Sequence, residues 1–425
     1  MVKVTSCLKV LFVAPFYGHT GYAVNERQLA LSLSRHVGSI YVLTLIGLKQ
    51  FVTWRRSELK IDVPRNMKVF ILPCPYLFLL DLFKTVLISF AFAFFAWFLK
   101  TLGIINSIYV RDDLEALGFI STRSLARITL VKLADFEGDL ERKTVVILNW
   151  ISKSIEQNIH LKANRLVLTK AGRVCVNSET FRKQLIARRG FPIRTPIIVI
   201  SPGVDMETIR RLKSEVQMLP SSEIRIGFIG ELCPFQGVDL LVESMAIVSR
   251  QFPKTRLYVV GGGEMSEILK QKCISLNLQH AFPGLVTHER ALKLLSTFYA
   301  LVLPSRKDST TDSHIPIKII EAWALGVPVI VTKHRVLGEK FVDGIDLIFC
   351  KTEAKDIADK ILLLLNNPQL KSSLMERGTR LAEEFDYEDI AHRLAKEMGG
   401  LRAHSPLIPL LELTSLGCSS GGLQD

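Results

Sequence analysis

The chain lacks the cysteine patterns that would mark a zinc ribbon or a disulfide framework. Its seven cysteines, at positions 7, 74, 175, 233, 273, 350 and 418, are scattered, with no CxxC and no histidine at ligand spacing. They read as reduced thiols in a cytoplasmic protein without a structural metal. No GxxxxGK[ST] occurs either, so the loop that cradles ATP phosphates in P-loop hydrolases is missing and ATP hydrolysis is not expected. The N-terminal "LKVLFVAPF" is too short for a secretory signal and runs straight into a loop and helix. The longest apolar run, "TVLISFAFAFFAWFL" (85–99), lies between Lys84 and Lys100. As a helix it spans roughly 22 Å, against a hydrocarbon core of roughly 30 Å. A single membrane span would also separate strands that belong to one sheet. Residues 77–99 are therefore expected to form either an interfacial hydrophobic element or a core helix.

Charge, by contrast, is plentiful and one-sided. The net charge of the 425 residues is +13, and between Lys162 and Arg194 nine Lys or Arg face one acid, Glu179. Nucleic acid or an anionic membrane surface would each account for this, as would a solvated basic helix face, the most ordinary of the three, and no nucleic-acid partner is expected.

Strand and helix signals alternate twice along the chain. The first series runs through "KVLFVAP", "SIYVLTL", "MKVFILP", "SIYVRDD", "RITLVKLAD", "RVCVNS" and "IIVISPG". After the polar "KSEVQMLPSSE" the alternation restarts with "IRIGFIGEL", "TRLYVVGGG", "LVLPS" and "VPVIVT". Such alternation predicts α/β architecture, two doubly wound parallel-sheet domains facing across a cleft. The expected boundaries are 1–203 for the first domain and 204–386 for the second. A C-terminal helix in 387–403 packs back on the first domain, and 404–425 is a disordered tail.

Ligand-facing signals fall in loops after strands. "GHTG" (Gly18 to Gly21), "GELCPFQG" (Gly230 to Gly237) and "VVGGGE" (through Gly263) each place glycine where backbone can approach an anion. A glycine at such a junction is more often structural than functional, but three on one cleft point to a phosphorylated ligand. In "IPIKIIEAWALGVPVIVT" (315–332), Pro316 suits the start of a helix and Gly326 its end. That helix carries Lys318 and Glu321 on one face near its positive end.

Together, "GFIGELCPFQGVDLLVESM", "LYVVGGGE", "FPGLV", "LVLPSRKDS" and "IKIIEAWALGVPVIVT" resemble glycosyltransferase family 4, in its order and spacing. The first half is similar too, in "VLFVAPFYGHTGYAVNERQLA" and "RVCVNSETFRKQL". The resemblance implies the GT-B fold, a UDP- or GDP-linked sugar donor as co-substrate and a retaining transfer that needs no metal. It implies that Glu321 accepts hydrogen bonds from the donor ribose. Lys318, with the N–H groups of 317 to 319, would face the diphosphate, and Gly21 would approach the same phosphates. Gly230, Gly263, His314 and Ile317 complete the expected donor site.

The chain departs from the family at three positions. Glu231 and Gln236 stand where an arginine and a lysine usually hold the leaving diphosphate, and Ser313 replaces the first acid of the E-x7-E pair. Either Lys318, Arg306 and Lys307 substitute for those cations, or the chain is a weak or silent relative acting as a binding or scaffold protein. A Pro-x-Lys-x-x-Glu version of the helix (Pro316, Lys318, Glu321) resembles a subset of the family and favours substitution. In the first half Asp135, near Glu137 and Asp139, is the candidate contact to the reacting sugar, with a plain loop acid as the alternative. His19 and His314 sit in cleft loops as ordinary hydrogen-bonding residues. An epimerase on the same fold is disfavoured, because the carboxylate-rich site that chemistry uses is missing. The expectation is a peripheral protein at the inner face of the cytoplasmic membrane, acting on a lipid-linked or glycan acceptor.

Overall fold

The computed structural model describes residues 7–15, 21–47, 63–74, 81–133, 149–187, 191–215, 223–306 and 314–401. The first lobe holds strands β1 (Lys9–Val13), β2 (Ser39–Gly47), β3 (Met67–Cys74), β4 (Ser107–Arg111), β5 (Thr129–Leu133), β6 (Arg173–Val176) and β7 (Ile197–Val199). Its helices are α1 (Gly21–Ser34), α2 (Asp81–Thr101), α3 (Asp113–Ser121), α4 (Arg123–Ala126), α5 (Asn149–Lys170) and α6 (Glu179–Ala187). The second lobe begins with α7 (Met206–Glu215), β8 (Ile224–Ile229), α8 (Val238–Gln251), β9 (Thr255–Val260), α9 (Ser266–Ser275) and β10 (His280–Gly284). It continues through α10 (His288–Leu295), β11 (Ala300–Leu303), α11 (Ile317–Leu325), β12 (Val329–Thr332), α12 (Arg335–Lys340) and β13 (Ile348–Cys350). Helices α13 (Ala354–Leu365), α14 (Pro368–Glu383) and α15 (Tyr387–Gly400) close the chain.

Both sheets are parallel. Their orders are β3-β2-β1-β4-β5-β6-β7 and β10-β9-β8-β11-β12-β13. Strands such as "ALVL" of β11 and "VIVT" of β12 are buried along their whole length, as sheets covered by helices on both faces require. The sequence reading lacks β10 and β13. The first reads "HAFPG" and is irregular between Ala281 and Gly284, and the second is three residues long, so neither shows a clear apolar run.

The chain crosses between lobes twice at one place. Val204 N–H donates to Phe385 O (2.9 Å) and Tyr387 N–H donates to Val204 O (3.0 Å), which ties the outgoing and returning strands together. From there α15 packs on α1, with Ile390, Leu394 and Met398 in one buried cluster with Leu29, Ala30 and Leu33. Arg35, in the turn just after α1, adds ion pairs to Glu388 (3.1 Å) and Glu207 (3.0 Å). The expected tail at 404–425 lies outside the described residues.

Helix α2 is longer than the apolar run from which it was expected, and only one side of it is buried. Phe92, Ala93, Ala96 and Leu99 face the core. Its backbone crosses α3 at Gly118, where a Cβ would lie 2.2 Å from Ser89 O. The other side leaves Leu87 73% and Phe94 71% exposed, with Phe90, Trp97 and Phe98 about half exposed. Among the described residues no helix is long and apolar enough to cross a membrane.

Candidate functional site

In a doubly wound sheet, neighbouring strands whose connections leave in opposite directions open a crevice at their carboxyl ends. In the second lobe that crevice lies between β8 and β11. Three pieces of chain meet there: the loop after β8, a 3-10 turn at Pro234–Gln236, and the amino end of α11. Pro316 occupies the N-cap with extended backbone, one position earlier than first helical, and no side chain caps the helix. The N–H of Ile319 is taken by Pro316 O (3.0 Å), so the expected trio of free amides reduces to Ile317 and Lys318. The far side of α11 is fixed by Trp323, which lies edge-on to Phe341 at 4.9 Å and presses on Gly378. Anchored in this way, the helix turns Lys318 and Glu321, three residues apart, toward the crevice.

Lys318 holds its ammonium 5.0 Å from the centre of the Phe228 ring, directly above Gly230. A Cβ at Gly230 would come within 2.5 Å of Lys318 Nζ, and the backbone there has φ +152°. Glycine is therefore what makes room for the cation. Burial pushes the Lys318 ammonium down to about 8, although Cys233, Glu321 and Glu231 pull the other way. No described residue hydrogen-bonds it. Glu321 is 7% exposed, and its Oε1 pairs with His288 Nε2 at 2.6 Å. The carboxylate borders a narrow cleft of about 10 Å³ to which Gln28 of α1, Asp205 and Tyr387 of the hinge, and Leu292 and Ile317 also contribute.

The remaining expected residues divide. Gly263 and its neighbour Gly261 are demanded by packing: a Cβ on them would meet Leu232 O at 2.4 Å and Gly230 O at 1.8 Å. Their loops are stitched by Gly230 N–H to Val260 O and Leu232 N–H to Gly262 O, both 2.9 Å. Arg306 is already partnered within the lobe. It is engaged bidentately by Asp239 (2.9 and 2.7 Å) and also donates to Pro234 O, which holds the 3-10 turn in place. Glu231 is exposed beside the crevice, Gln236 ends the turn, and His314 is half-buried ahead of α11. Gly21 is the first residue of α1, at the carboxyl end of β1. Asp135 and Ser313, with His19, Lys307, Glu137 and Asp139, lie outside the described residues.

Sequence reasoning missed two groups. One is His288. The other sits at the first lobe's own switch point, between β1 and β4, where Asp112 takes φ +84° and caps α3. Asp113 accepts from Asn164 Nδ2 and pairs with His160 Nδ1 (3.1 Å). Burial's upward push on the Asp113 carboxyl is outweighed by hydrogen bonds from Asp112 and His160, which hold it below the usual carboxylate range. Asp112, Asp113 and His160 each offer a ligand atom within 4.8 Å of the others and could between them hold a cation. The signal was the pair of acids directly after the buried strand "SIYVR". Behind them Glu26 is wholly buried and neutralised by Lys132 (2.8 Å), with Tyr109 donating at 2.9 Å.

Comparison with known proteins adds to this geometry. Residues 209–381 match the family model described as glycosyl transferases group 1. The match covers the lobe that carries the crevice. Over 164 residues the chain is 28% identical to the N,N'-diacetylbacillosaminyl-diphospho-undecaprenol alpha-1,3-N-acetylgalactosaminyltransferase of Campylobacter jejuni, covering 38% of this chain and 40% of that one. The chain spans about half the length of the curated relatives it matches. Sucrose-phosphate synthase of Thermosynechococcus elongatus superposes with a TM-score of 0.72 at 18% identity, covering 94% of this chain and 100% of that one. Anabaena HepE, solved in complex with UDP-glucose, gives 0.65 at 17% identity over 92% of this chain and 100% of that one. The fold is GT-B.

Proposed function

We propose that the chain is a retaining glycosyltransferase. It takes a sugar from a UDP- or GDP-linked donor to a lipid-linked or glycan acceptor held at the inner face of the cytoplasmic membrane, without a metal. The observation that carries this reading is the amino end of α11, which presents an unpaired ammonium and a buried carboxylate to the crevice between β8 and β11. The Ile317 and Lys318 amides and the Lys318 ammonium receive the diphosphate, where helix dipole and cation act together. Glu321 receives the ribose hydroxyls, since an ionised carboxylate is a strong paired acceptor. When the acceptor hydroxyl replaces the diphosphate on the sugar carbon, negative charge grows on the departing phosphate, and these donors stabilise it there.

Two features support a membrane-held acceptor. Residues 1–203 carry 28 Lys and Arg against 13 Asp and Glu, and residues 204–425 carry 26 against 28, so the first lobe is +15 and the remainder −2. That lobe also bears the aromatic stripe of α2, and a basic surface beside an apolar one suits anionic lipid. The name of the Campylobacter relative includes diphospho-undecaprenol, a lipid carrier. A second reading, a binding protein with little turnover, draws on Glu231, Gln236 and the engagement of Arg306 by Asp239. Thermal melting with UDP and GDP tests the donor site. One of them raises the melting temperature of the wild type and raises that of Glu321→Ala distinctly less, and no shift of the wild type with either rejects the assignment.

A further inference from the structure

Glu321 stands in an unusual position for a carboxylate that must read a ligand. It is buried, and among the described residues its one hydrogen-bond partner is His288. The imidazole comes from the first turn of a different helix. Thr287 caps α10, with its Oγ1 accepting from Arg290 N–H (3.4 Å), and the buried Leu292 and Leu295 fix the helix against the lobe. His288 therefore approaches Glu321 from a rigid base. Nε2 is 2.6 Å from Oε1, and Glu321 lines the same cleft as Ile317, Asp205 and Tyr387.

We propose that His288 is a positioning residue: it anchors one oxygen of Glu321 so that the carboxylate meets both hydroxyls of a nucleotide's ribose. The inference rests on the donor reading above and names the residue that gives that site its preference for ribose. A buried carboxylate left without a hydrogen-bond donor is strongly disfavoured. Rotated away, Glu321 would lose at least one of the two bonds it can accept. Fixing Oε1 at the imidazole sets the plane of the group before the ligand arrives, so less freedom is lost on binding. The neighbouring charges do not duplicate this role. Glu289, next to His288 on α10, pairs with Lys293 at 3.0 Å, Lys318 has no hydrogen bond to Glu321, and Asp205 caps α7 through Thr208.

The test compares a nucleoside diphosphate with its 2′,3′-dideoxy analogue, using UDP or GDP, whichever shifts melting, by calorimetric titration. The wild type should prefer the ribonucleotide by about tenfold or more, as expected for hydrogen bonds to a charged group. In His288→Ala that preference should fall to near unity while affinity for the dideoxy form, held by its phosphates, stays within about threefold. His288→Gln, which can still present an N–H to Oε1, should recover most of it. If His288→Ala weakens both ligands equally, or keeps the wild-type ratio, the positioning role is wrong although the donor site stands. If the wild type itself ignores the ribose hydroxyls, the donor reading fails and this inference falls with it.

Discussion

Lys318 offers a sign-definite prediction, because its ammonium is held 5.0 Å from the centre of the Phe228 ring with no hydrogen bond from the described residues. Its ammonium sits at about 8 in the free protein, against an ordinary 10.5, with burial the leading cause. Holding the ammonium charged there costs on the order of 3 kcal/mol at most, since the side chain is only half-buried. A diphosphate beside the ammonium supplies the missing counter-charge and raises the value again, so binding takes up protons. The sign follows from linkage. Below about pH 8 the lysine is already charged and affinity is at its plateau. As pH rises through about 8 the free protein loses that proton, and affinity falls by up to about tenfold per unit. Phosphate's own titration near pH 6 lies outside the window. Calorimetric titration of UDP or GDP between about pH 7 and 9.5, in two buffers of different ionisation enthalpy, measures both quantities. Uptake of about half a proton is expected near pH 8. Lys318→Gln should bind weakly and without pH dependence. A flat affinity with no proton uptake, or an unchanged slope in Lys318→Gln, would refute the placement of the diphosphate at this helix.

Arg306→Ala removes the bidentate grip on Asp239 and should lower the second lobe's melting point by about 2–4 °C, for roughly 1 kcal/mol, while nucleotide affinity stays within about threefold. A large loss of affinity would instead make Arg306 a phosphate ligand. Asp113→Ala deletes the acceptor shared by His160 and Asn164, and chemical denaturation should report a loss of about 1–3 kcal/mol. Phe94→Glu places a charge on the exposed stripe of α2. Stability should change by no more than about 0.5 kcal/mol, and co-sedimentation with anionic vesicles should be lost.

The double alternation of strands and helices was legible because both sheets are parallel and buried, which writes continuous apolar runs such as "VPVIVT" into the chain. Helix α11 was legible for a different reason: Pro316, Lys318, Glu321 and Gly326 fall within a few residues that start, face and end one short helix. What escaped notice depends on contacts between distant segments. His288 meets Glu321 across 33 positions and Asp113 meets Asn164 across 51, and no local pattern encodes either pair. Arg306 illustrates the opposite failure. It lies near the crevice in sequence, but Asp239, 67 residues away, holds it as a structural strut. Glycines were similarly ambiguous, since Gly230 clears space for Lys318 whereas Gly261 and Gly263 serve loop packing.

Turnover decides the account most directly. Purified protein incubated with a panel of UDP- and GDP-linked sugars and a lipid extract as acceptor should release nucleoside diphosphate and yield a glycosylated lipid with one donor. Glu321→Ala should abolish both products. Tight nucleotide binding with no transfer from any donor would contradict the enzymatic claim and leave a binding protein built on this fold.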